Sequence, residues 1–267
     1  MKNLVKCLVA LFCLVAGTGC ANSTNGDVIR LGVVGENNDV WEFVRDELKE
    51  EGIYIDFVTF TDFIQPNIAL AAGDIELNAF QTVIFLDNFN KEQQTDLVPI
   101  GNTVINPLGI YSLTINEISD VQQGDRVAIP NDVTNGGRAL LLLQSAGLIT
   151  VDPAAGHIPT VNDILKNPLA LEILELDATQ TARSLEDVTI AAINSGLAID
   201  AGFLPLQDAI FLEPLDESSA PYINVIASRR GDASNEIFNR IVEVYQREET
   251  KEVIARVLKG ASLPAWD

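Results

Sequence analysis

The segment VIRLGVVGENNDVWEFVRDELKEEGIYIDFVTF, residues 28–60, has the pattern from which the fold class is predicted. Residues 28–34 form a mostly apolar run of strand length, and residues 39–52 carry the spacing of an amphipathic helix that stops at Gly52. Residues 53–60 are rich in β-branched and aromatic side chains, which predicts a second strand. A strand, a helix and a strand in this order predict two parallel strands joined by a crossover helix.

The alternation continues after this stretch. The pattern predicts a helix with a proline near its start over 63–74, a strand over 75–80, a helix over 83–93 and a strand over 97–105. We therefore expect a parallel sheet that is covered by helices on both faces.

A second series of strands follows and predicts a second α/β lobe. Its strands are expected at 125–130, 171–176, 187–194 and 222–228, and one long helix with a mixed-charge face is expected over roughly 232–259. Ligands of such sheets lie beyond the carboxyl ends of the strands, which places a binding site in the cleft between two lobes.

The first nineteen residues, 1–19, have the composition of a secretory signal peptide. Two lysines precede an apolar stretch, 8–16, that is too short to span a bilayer, and Cys20 follows the small residues GTG. This order resembles a bacterial lipobox, although Gly17 stands where leucine is usual. It predicts export, acylation of Cys20 as the mature N-terminus, and a polar tether over 20–27.

The charge and composition exclude several classes of function. The formal net charge is −21 at pH 7, whereas a nucleic-acid-binding protein needs an excess of Lys and Arg to neutralise phosphates. None of the three cysteines lies after Cys20, so no disulfide is expected in the mature protein. His157 is the single histidine, and neither a Cys/His cluster nor a G-x-S-x-G motif is present. We expect no enzyme, no metal and no cofactor, and we expect His157 in an exposed loop.

The segment NDVTNGGR, residues 131–138, is the first candidate for a binding site. A polar loop with two glycines, followed by an apolar helix that Arg138 opens, is predicted here. Free N–H groups at a helix start and a guanidinium fork both suit a ligand carboxylate, and glycines allow close approach. The alternative is structural: Thr134 or Asn135 caps the helix and Arg138 pairs with an acidic side chain. The residues alone leave both interpretations open.

Aromatic and amide side chains at strand ends form a second group of candidates. Asn194 and Asn224 end apolar strands, where an amide either caps the next helix or holds a polar group of a ligand. Phe60 is expected in the core. Either core packing or the lining of a cleft explains three other rings, those of Phe63, Phe80 and Phe85.

Six segments carry a resemblance to one family, and they occur in the family's order after the lipobox. They are QPNIALAAGDIELNAFQ (65–81), VPIGNTVINPLGIYS (98–112), AIPNDVTNGGRALLLLQSAGLI (128–149), PTVNDILKNP (159–168), AAIN (191–194) and PYINVI (221–226). In these segments the chain resembles the methionine-binding lipoprotein (NlpA) family, the substrate-binding components of methionine ABC importers. The resemblance implies an α/β, two-lobed, periplasmic-binding-protein-like clamshell with two crossover segments. Lobe 1 would comprise 28–110 and 225–267, and lobe 2 would comprise 111–224.

The resemblance also implies roles for the candidate residues. Arg138 would pair with the ligand carboxylate, with Asn135 as a weaker candidate beside it. Asn194 and Asn224 would hold the amino and carboxylate groups of the ligand. Its side chain would be enclosed by Phe63, Phe80 and Phe85.

Three positions depart from the family's pattern and bear on specificity. Thr82 stands where a histidine is usual, and Phe63 and Phe85 stand where tyrosines are common. We therefore expect a more apolar pocket with L-methionine as the leading ligand, since a thioether suits aromatic edges. The alternatives are another small apolar amino acid, a methionine-containing dipeptide, or a surface adhesin or interaction lipoprotein on the same scaffold. The implied partners are an ABC permease with its ATPase, and the membrane through the lipid anchor.

Overall fold

A computed structural model of the chain describes residues 28–259 and 261–266. The predicted signal peptide (1–19), the acylated Cys20 and the tether (20–27) lie outside the described residues.

The first part of the chain alternates strands and helices, as its periodicity predicts. Its elements are β1 (Val28–Val34), α1 (Asp39–Glu50), β2 (Tyr54–Phe60), α2 (Gln65–Ala72), β3 (Leu77–Thr82), α3 (Val83–Gln93) and β4 (Leu97–Ile105). β1 pairs in parallel with β2 along its whole length and with β3 at its centre, so the predicted strand–helix–strand unit is confirmed. α1 buries one face against the sheet, through Val40, Trp41, Val44 and Leu48.

The middle of the chain forms a second lobe and the end returns to the first. The second lobe contains β5 (Gly109–Tyr111), β6 (Arg126–Pro130), α4 (Val133–Ser145), β7 (Thr150–Val151), β8 (Ile164–Lys166), β9 (Glu172–Leu176), β10 (Ile190–Ile193), α5 (Ser195–Asp200), α6 (Pro205–Asp208) and β11 (Phe211–Leu212). The returning elements are β12 (Ile223–Arg229), α7 (Glu236–Tyr245), α8 (Glu248–Val257) and β13 (Leu263–Pro264).

The first sheet is mixed, so the prediction of a parallel sheet is wrong for its central strand. The strand order is β13–β4–β12–β3–β1–β2, and β12 runs antiparallel to both β3 and β4. The reason is the connection: β4 carries the chain out to the second lobe, and β12 brings it back in the opposite direction. The second sheet, ordered β11–β5–β10–β6–β9, is also mixed, with β10, β6 and β9 parallel and β5 antiparallel to β10.

Two crossover segments join the lobes, at 106–108 between β4 and β5 and at 213–222 between β11 and β12. The fold is therefore the two-lobed α/β arrangement that the sequence predicts. Gly109 and Ile110 belong to the second sheet, and β12 starts at Ile223, two residues before the expected return to lobe 1. The residue boundaries of the lobes stay a proposal.

The predicted helix over roughly 232–259 is two helices, α7 and α8, and that prediction is wrong. Arg247 between them has an extended backbone, with φ −79° and ψ 162°. The Thr250 hydroxyl donates to the carbonyl of Val244 at 2.9 Å, which helps to end α7, and the Tyr245 side chain is buried beneath the break. The break lets both helices turn an apolar face to the core. No Gly or Pro lies between them, so the sequence contains no helix-breaking residue that would predict it.

The two glycines at the candidate site lie inside α4, so the predicted polar loop is also wrong. α4 starts at Val133, which places Arg138 in its second turn. A Cβ on Gly136 would lie 2.7 Å from the carbonyl oxygen of Pro130, and a Cβ on Gly137 would lie 2.8 Å from the Cα of Ile158. The glycines therefore allow α4 to pack directly against neighbouring backbone, and they do not serve close approach by a ligand.

Gly137→Ala tests this packing. We expect a loss of stability of roughly 1–3 kcal/mol, because the added methyl meets backbone that cannot move aside like a flexible side chain. Chemical denaturation followed by circular dichroism measures it. Gly231→Ala is the control, since a Cβ there meets nothing within 4 Å. Equal stability of the two variants would contradict the packing role of Gly137.

Candidate functional site

Arg138 is held by both crossover segments. Nε donates to Oε1 of Glu213 at 2.9 Å, and Nη2 donates to Oε2 of Glu213 at 2.5 Å and to the backbone carbonyl of Asn106 at 2.7 Å. The side chains of Arg138 and Glu213 are 4% and 12% exposed, so the ion pair is buried. These hydrogen bonds use Nε and Nη2, which leaves the protons of Nη1 for a ligand.

An aromatic face covers the same guanidinium. The ring of Tyr222, in the second crossover segment, lies 4.3 Å from Cζ of Arg138. Burial raises the pKa of the Tyr222 phenol, so the ring stays neutral and adds a cation–π contact. His157 lies in an exposed turn, as predicted, and its Nδ1 is 3.4 Å from the Tyr222 hydroxyl.

The N-terminus of α4 is capped by Asp132, not by Thr134 or Asn135. Oδ1 of Asp132 accepts hydrogen bonds from the backbone N–H of Asn135 at 2.9 Å and from the hydroxyl of Thr134 at 3.0 Å. A carboxylate of the chain itself therefore occupies the helix start, and its negative charge opposes a second anion there. Both features of the structural alternative, a capped helix and a paired Arg138, are present.

The Asp132 carboxylate is the first member of a hydrogen-bonded row that continues through two side-chain amides. Nδ2 of Asn135 donates to both carboxylate oxygens, at 3.1 and 3.0 Å, and Nδ2 of Asn194 donates to Oδ1 of Asn135 at 2.8 Å. Oδ1 of Asn194 is buried and has no hydrogen-bond partner within the described residues, and the same holds for Oδ1 of Asn106. Buried acceptors without partners carry a desolvation cost, which a ligand donor would remove.

Three phenylalanines form the opposite wall. The ring centroids of Phe63, Phe80 and Phe85 are 5.9, 6.2 and 6.1 Å apart, and Phe85 meets the other two edge-on. Thr82 is the N-cap residue of α3, and its hydroxyl accepts from the backbone N–H of Phe85 at 3.4 Å. Asn224 pairs with Thr82 across the sheet and donates to the carbonyl of Val104 at 3.2 Å. Phe60 packs against the core of the first lobe, as expected.

A cavity of about 120 Å³ lies between the lobes and connects these groups. One ordered water needs about 10–15 Å³ of such space, so the cavity can hold a ligand of several non-hydrogen atoms. The structure brings together at this cavity all eight side chains singled out from the sequence: Phe63, Phe80, Thr82, Phe85, Asn135, Arg138, Asn194 and Asn224.

Among the groups that sequence reasoning missed are Asn106 and Asp200, which line the cavity, and Glu213, which pairs with Arg138. Asn106 directly follows the strand β4, as Asn194 follows β10, so the rule that singled out Asn194 also applies to it. The same rule was wrong for Asn224, which is the second residue of β12 and not its end. Glu213 is one of 38 acidic residues, and no local pattern distinguishes it as the partner of Arg138. Asp200 lines the cavity and accepts hydrogen bonds across the cleft from the backbone N–H groups of Glu36 and Asn37, at 3.2 and 3.3 Å.

Two kinds of feature are not found in the part of the chain that the structure describes. Over 28–259 and 261–266, no group of three or more His, Cys, Asp or Glu side chains is placed to hold a metal ion. Over the same ranges, no helix has the length and apolar character needed to cross a membrane.

Residues 29–266 match the family model described as NlpA lipoprotein. The chain belongs to the NlpA lipoprotein family. Solved structures of similar proteins share its two-lobed, periplasmic-binding-protein-like fold.

Similar proteins of known name bind methionine or serve its transport. The D-methionine-binding lipoprotein MetQ of Escherichia coli K12 is 38% identical over 262 residues, which are 96% of each chain. A nutrient binding protein from Burkholderia cenocepacia, solved bound to methionine, is 40% identical with a TM-score of 0.85, over 89% of this chain and 100% of its own. The substrate binding protein of a methionine transporter from Streptococcus pneumoniae is 36% identical with a TM-score of 0.85, over 90% of this chain and 96% of its own. These names describe binding and transport, not catalysis.

Glu213→Ala tests the ion pair that this NlpA-family protein buries between its lobes. We expect a loss of roughly 3–5 kcal/mol of stability, because the variant leaves the Arg138 charge buried without its partner. Thermal and denaturant unfolding measure it. The control is Glu172→Ala, which removes an exposed partner of Arg126 and is expected to change the Tm little. Similar losses in both variants would show that the buried Arg138–Glu213 pair contributes no more to stability than an exposed ion pair.

Proposed function

We propose that this protein captures methionine outside the cytoplasm and delivers it to an ABC importer. One observation carries the proposal: a single cavity between the lobes presents guanidinium protons and buried amide oxygens on one side and three phenylalanine rings on the other. A zwitterionic amino acid with an apolar side chain has the matching distribution of groups.

The charge balance of the cavity favours a zwitterion over a simple anion. The charge of Arg138 is offset by Glu213 at hydrogen-bond distance, so the pair is neutral as a unit. The ligand carboxylate would accept from Nη1 of Arg138, with the amide of Asn224 beside it. The α-ammonium would donate to the unpartnered oxygens of Asn106 and Asn194. A zwitterion adds no net charge to the buried cleft, whereas a simple anion would add a negative charge near the carboxylates of Glu213 and Asp200.

The aromatic wall accounts for the choice of side chain. Phe63, Phe80 and Phe85 offer ring edges and faces, and a polarizable thioether makes favourable contacts with aromatic rings. The similar protein from Burkholderia cenocepacia was solved with methionine bound, and the one from Streptococcus pneumoniae is named for a methionine transporter. L-Methionine is our leading ligand. The relative from Escherichia coli is named for the D-enantiomer, so both enantiomers enter the tests.

Anchoring and delivery complete the proposal. The family's description as lipoproteins and the lipobox-like order before Cys20 both support acylation of that residue. The acyl chain would hold the protein at the membrane surface, next to an ABC permease and its ATPase. Mass spectrometry of the mature N-terminus tests the acylation.

The central experiment is titration of the ligand-free protein. A protein lacking residues 1–20 is first denatured, dialysed to remove bound ligand and refolded. Its binding of L-methionine, D-methionine, leucine and small methionyl peptides is then measured by calorimetry. We expect saturable binding of methionine. No binding of any of these compounds would rule out the importer function and favour an interaction lipoprotein on the same scaffold.

Arg138→Lys tests the carboxylate site without leaving Glu213 unpaired. Lysine keeps the charge but loses the planar fork, so we expect at least about tenfold weaker methionine binding, the effect of one lost charge-assisted hydrogen bond. Calorimetry measures it, with Arg126→Lys at an exposed ion pair as the matched control. Unchanged affinity would show that Arg138 serves the structure alone.

Thr82→His tests side-chain recognition at the aromatic wall. An imidazole N–H can donate to a thioether but finds no acceptor in leucine, so the ratio of methionine to leucine affinity should rise severalfold. Thr82→Ser retains the hydroxyl that caps α3 and is expected to keep the original ratio. A ratio that stays the same in both variants would place residue 82 out of contact with the ligand side chain.

A further inference from the structure

The row of side chains Asp132–Asn135–Asn194 has only one consistent assignment of donors and acceptors. An ionised carboxylate accepts hydrogen bonds and donates none, so Asn135 must turn its NH₂ group toward Asp132. Oδ1 of Asn135 then faces Asn194, which must turn its own NH₂ group toward that oxygen. Oδ1 of Asn194 is left without a partner, in a side chain that lines the cavity.

This chain of constraints matters because an amide has two nearly isosteric ends. The orientation of an Asn side chain follows from its hydrogen-bond partners, and a free Asn can present either an acceptor or a donor. At Asn194 the orientation is set two hydrogen bonds away, at the carboxylate of Asp132, which is itself held by the backbone N–H of Asn135. The result is a buried acceptor at the cavity that has no partner in the described residues.

We propose that Asp132 is a positioning residue that makes ligand binding depend on a free α-ammonium group. It lies at the helix start and acts through two amides, which hold the Asn194 oxygen as an obligatory acceptor. The proposal rests on the proposed function, since the group that would donate to this oxygen is the α-ammonium of the captured amino acid. It adds a specificity: compounds that share the carboxylate and thioether but lack the ammonium bind much more weakly than methionine.

Asp132→Asn reverses the constraint with little other change. Asn is as good a helix N-cap as Asp, so α4 is retained. The new NH₂ group at residue 132 favours the opposite orientation of Asn135 and, through it, of Asn194, which turns a donor toward the cavity. We expect methionine to bind at least about tenfold more weakly, the effect of losing one hydrogen bond to a charged group and opposing two donors. Binding of 4-(methylthio)butanoate, which is methionine without the amino group, should not weaken.

Asn194→Asp provides the second variant and a rescue. Alone it places a carboxylate oxygen against Oδ1 of Asn135, two acceptors in contact, so methionine binding should weaken. Combined with Asp132→Asn, it receives the reversed NH₂ group of Asn135 and again presents an acceptor to the cavity. The double variant has the net charge of the wild type and should bind methionine at least severalfold more tightly than either single variant.

Calorimetry on the refolded, ligand-free protein measures all four combinations. Asp152→Asn is the control, because Asp152 also caps a helical turn, through the backbone N–H of Ala154, and does not line the cavity. Recovery in the double variant supports the proposal, since a residue that only stabilises α4 would give additive losses. Unchanged methionine affinity in Asp132→Asn, equal losses for methionine and its des-amino analogue, or no recovery in the double variant would each overturn it. These results leave the proposed function standing if the wild type binds methionine, whereas a wild type that does not bind overturns both.

Discussion

The buried ion pair between Arg138 and Glu213 is the interaction on which the cleft depends. It connects a helix of the second lobe to both crossover segments, because Glu213 belongs to one segment and the carbonyl of Asn106 to the other. The backbone N–H of Leu108 adds a third link, donating to the same carboxylate at 3.0 Å. A buried charge is tolerated only with its partner, so the pair fixes where the two lobes meet and which guanidinium protons remain for a ligand.

The local neutrality of this pair resolves an apparent conflict with the charge of the chain. A protein with a formal charge of −21 repels anions at long range. A zwitterion has no net charge and approaches freely, and in the proposed binding mode its carboxylate and ammonium groups would meet Arg138 and the amide oxygens only inside the cleft. The acidic surface and the amino-acid site are therefore compatible, and the surface charge discriminates against ligands that carry a carboxylate alone.

Local patterns predicted much of this structure, and contacts distant in sequence explain what they missed. Periodicity located most strands and helices, and strand-end amides together with the family resemblance led to side chains that share one cavity. The antiparallel course of β12 follows from a detour through the second lobe, which no window of sequence contains. Likewise Gly137 looks like a loop residue until the backbone of Ile158 is placed against it, and Glu213 has no local feature that selects it among the acids.

The start of α4 shows how a capped helix can still contribute to binding. The chain's own carboxylate, Asp132, accepts from the backbone N–H of Asn135 there, and its negative charge opposes a ligand anion at the helix end. In our proposal, the same carboxylate sets the amide orientation of Asn135 and, through it, that of Asn194, whose oxygen remains as an acceptor at the cavity. With donors fixed at Arg138 and an acceptor fixed at Asn194, an amino acid can satisfy both only when its side chain points away from them. In the proposed binding mode, recognition of the main-chain groups would set the orientation of the ligand, and the three phenylalanines would contact its side chain alone.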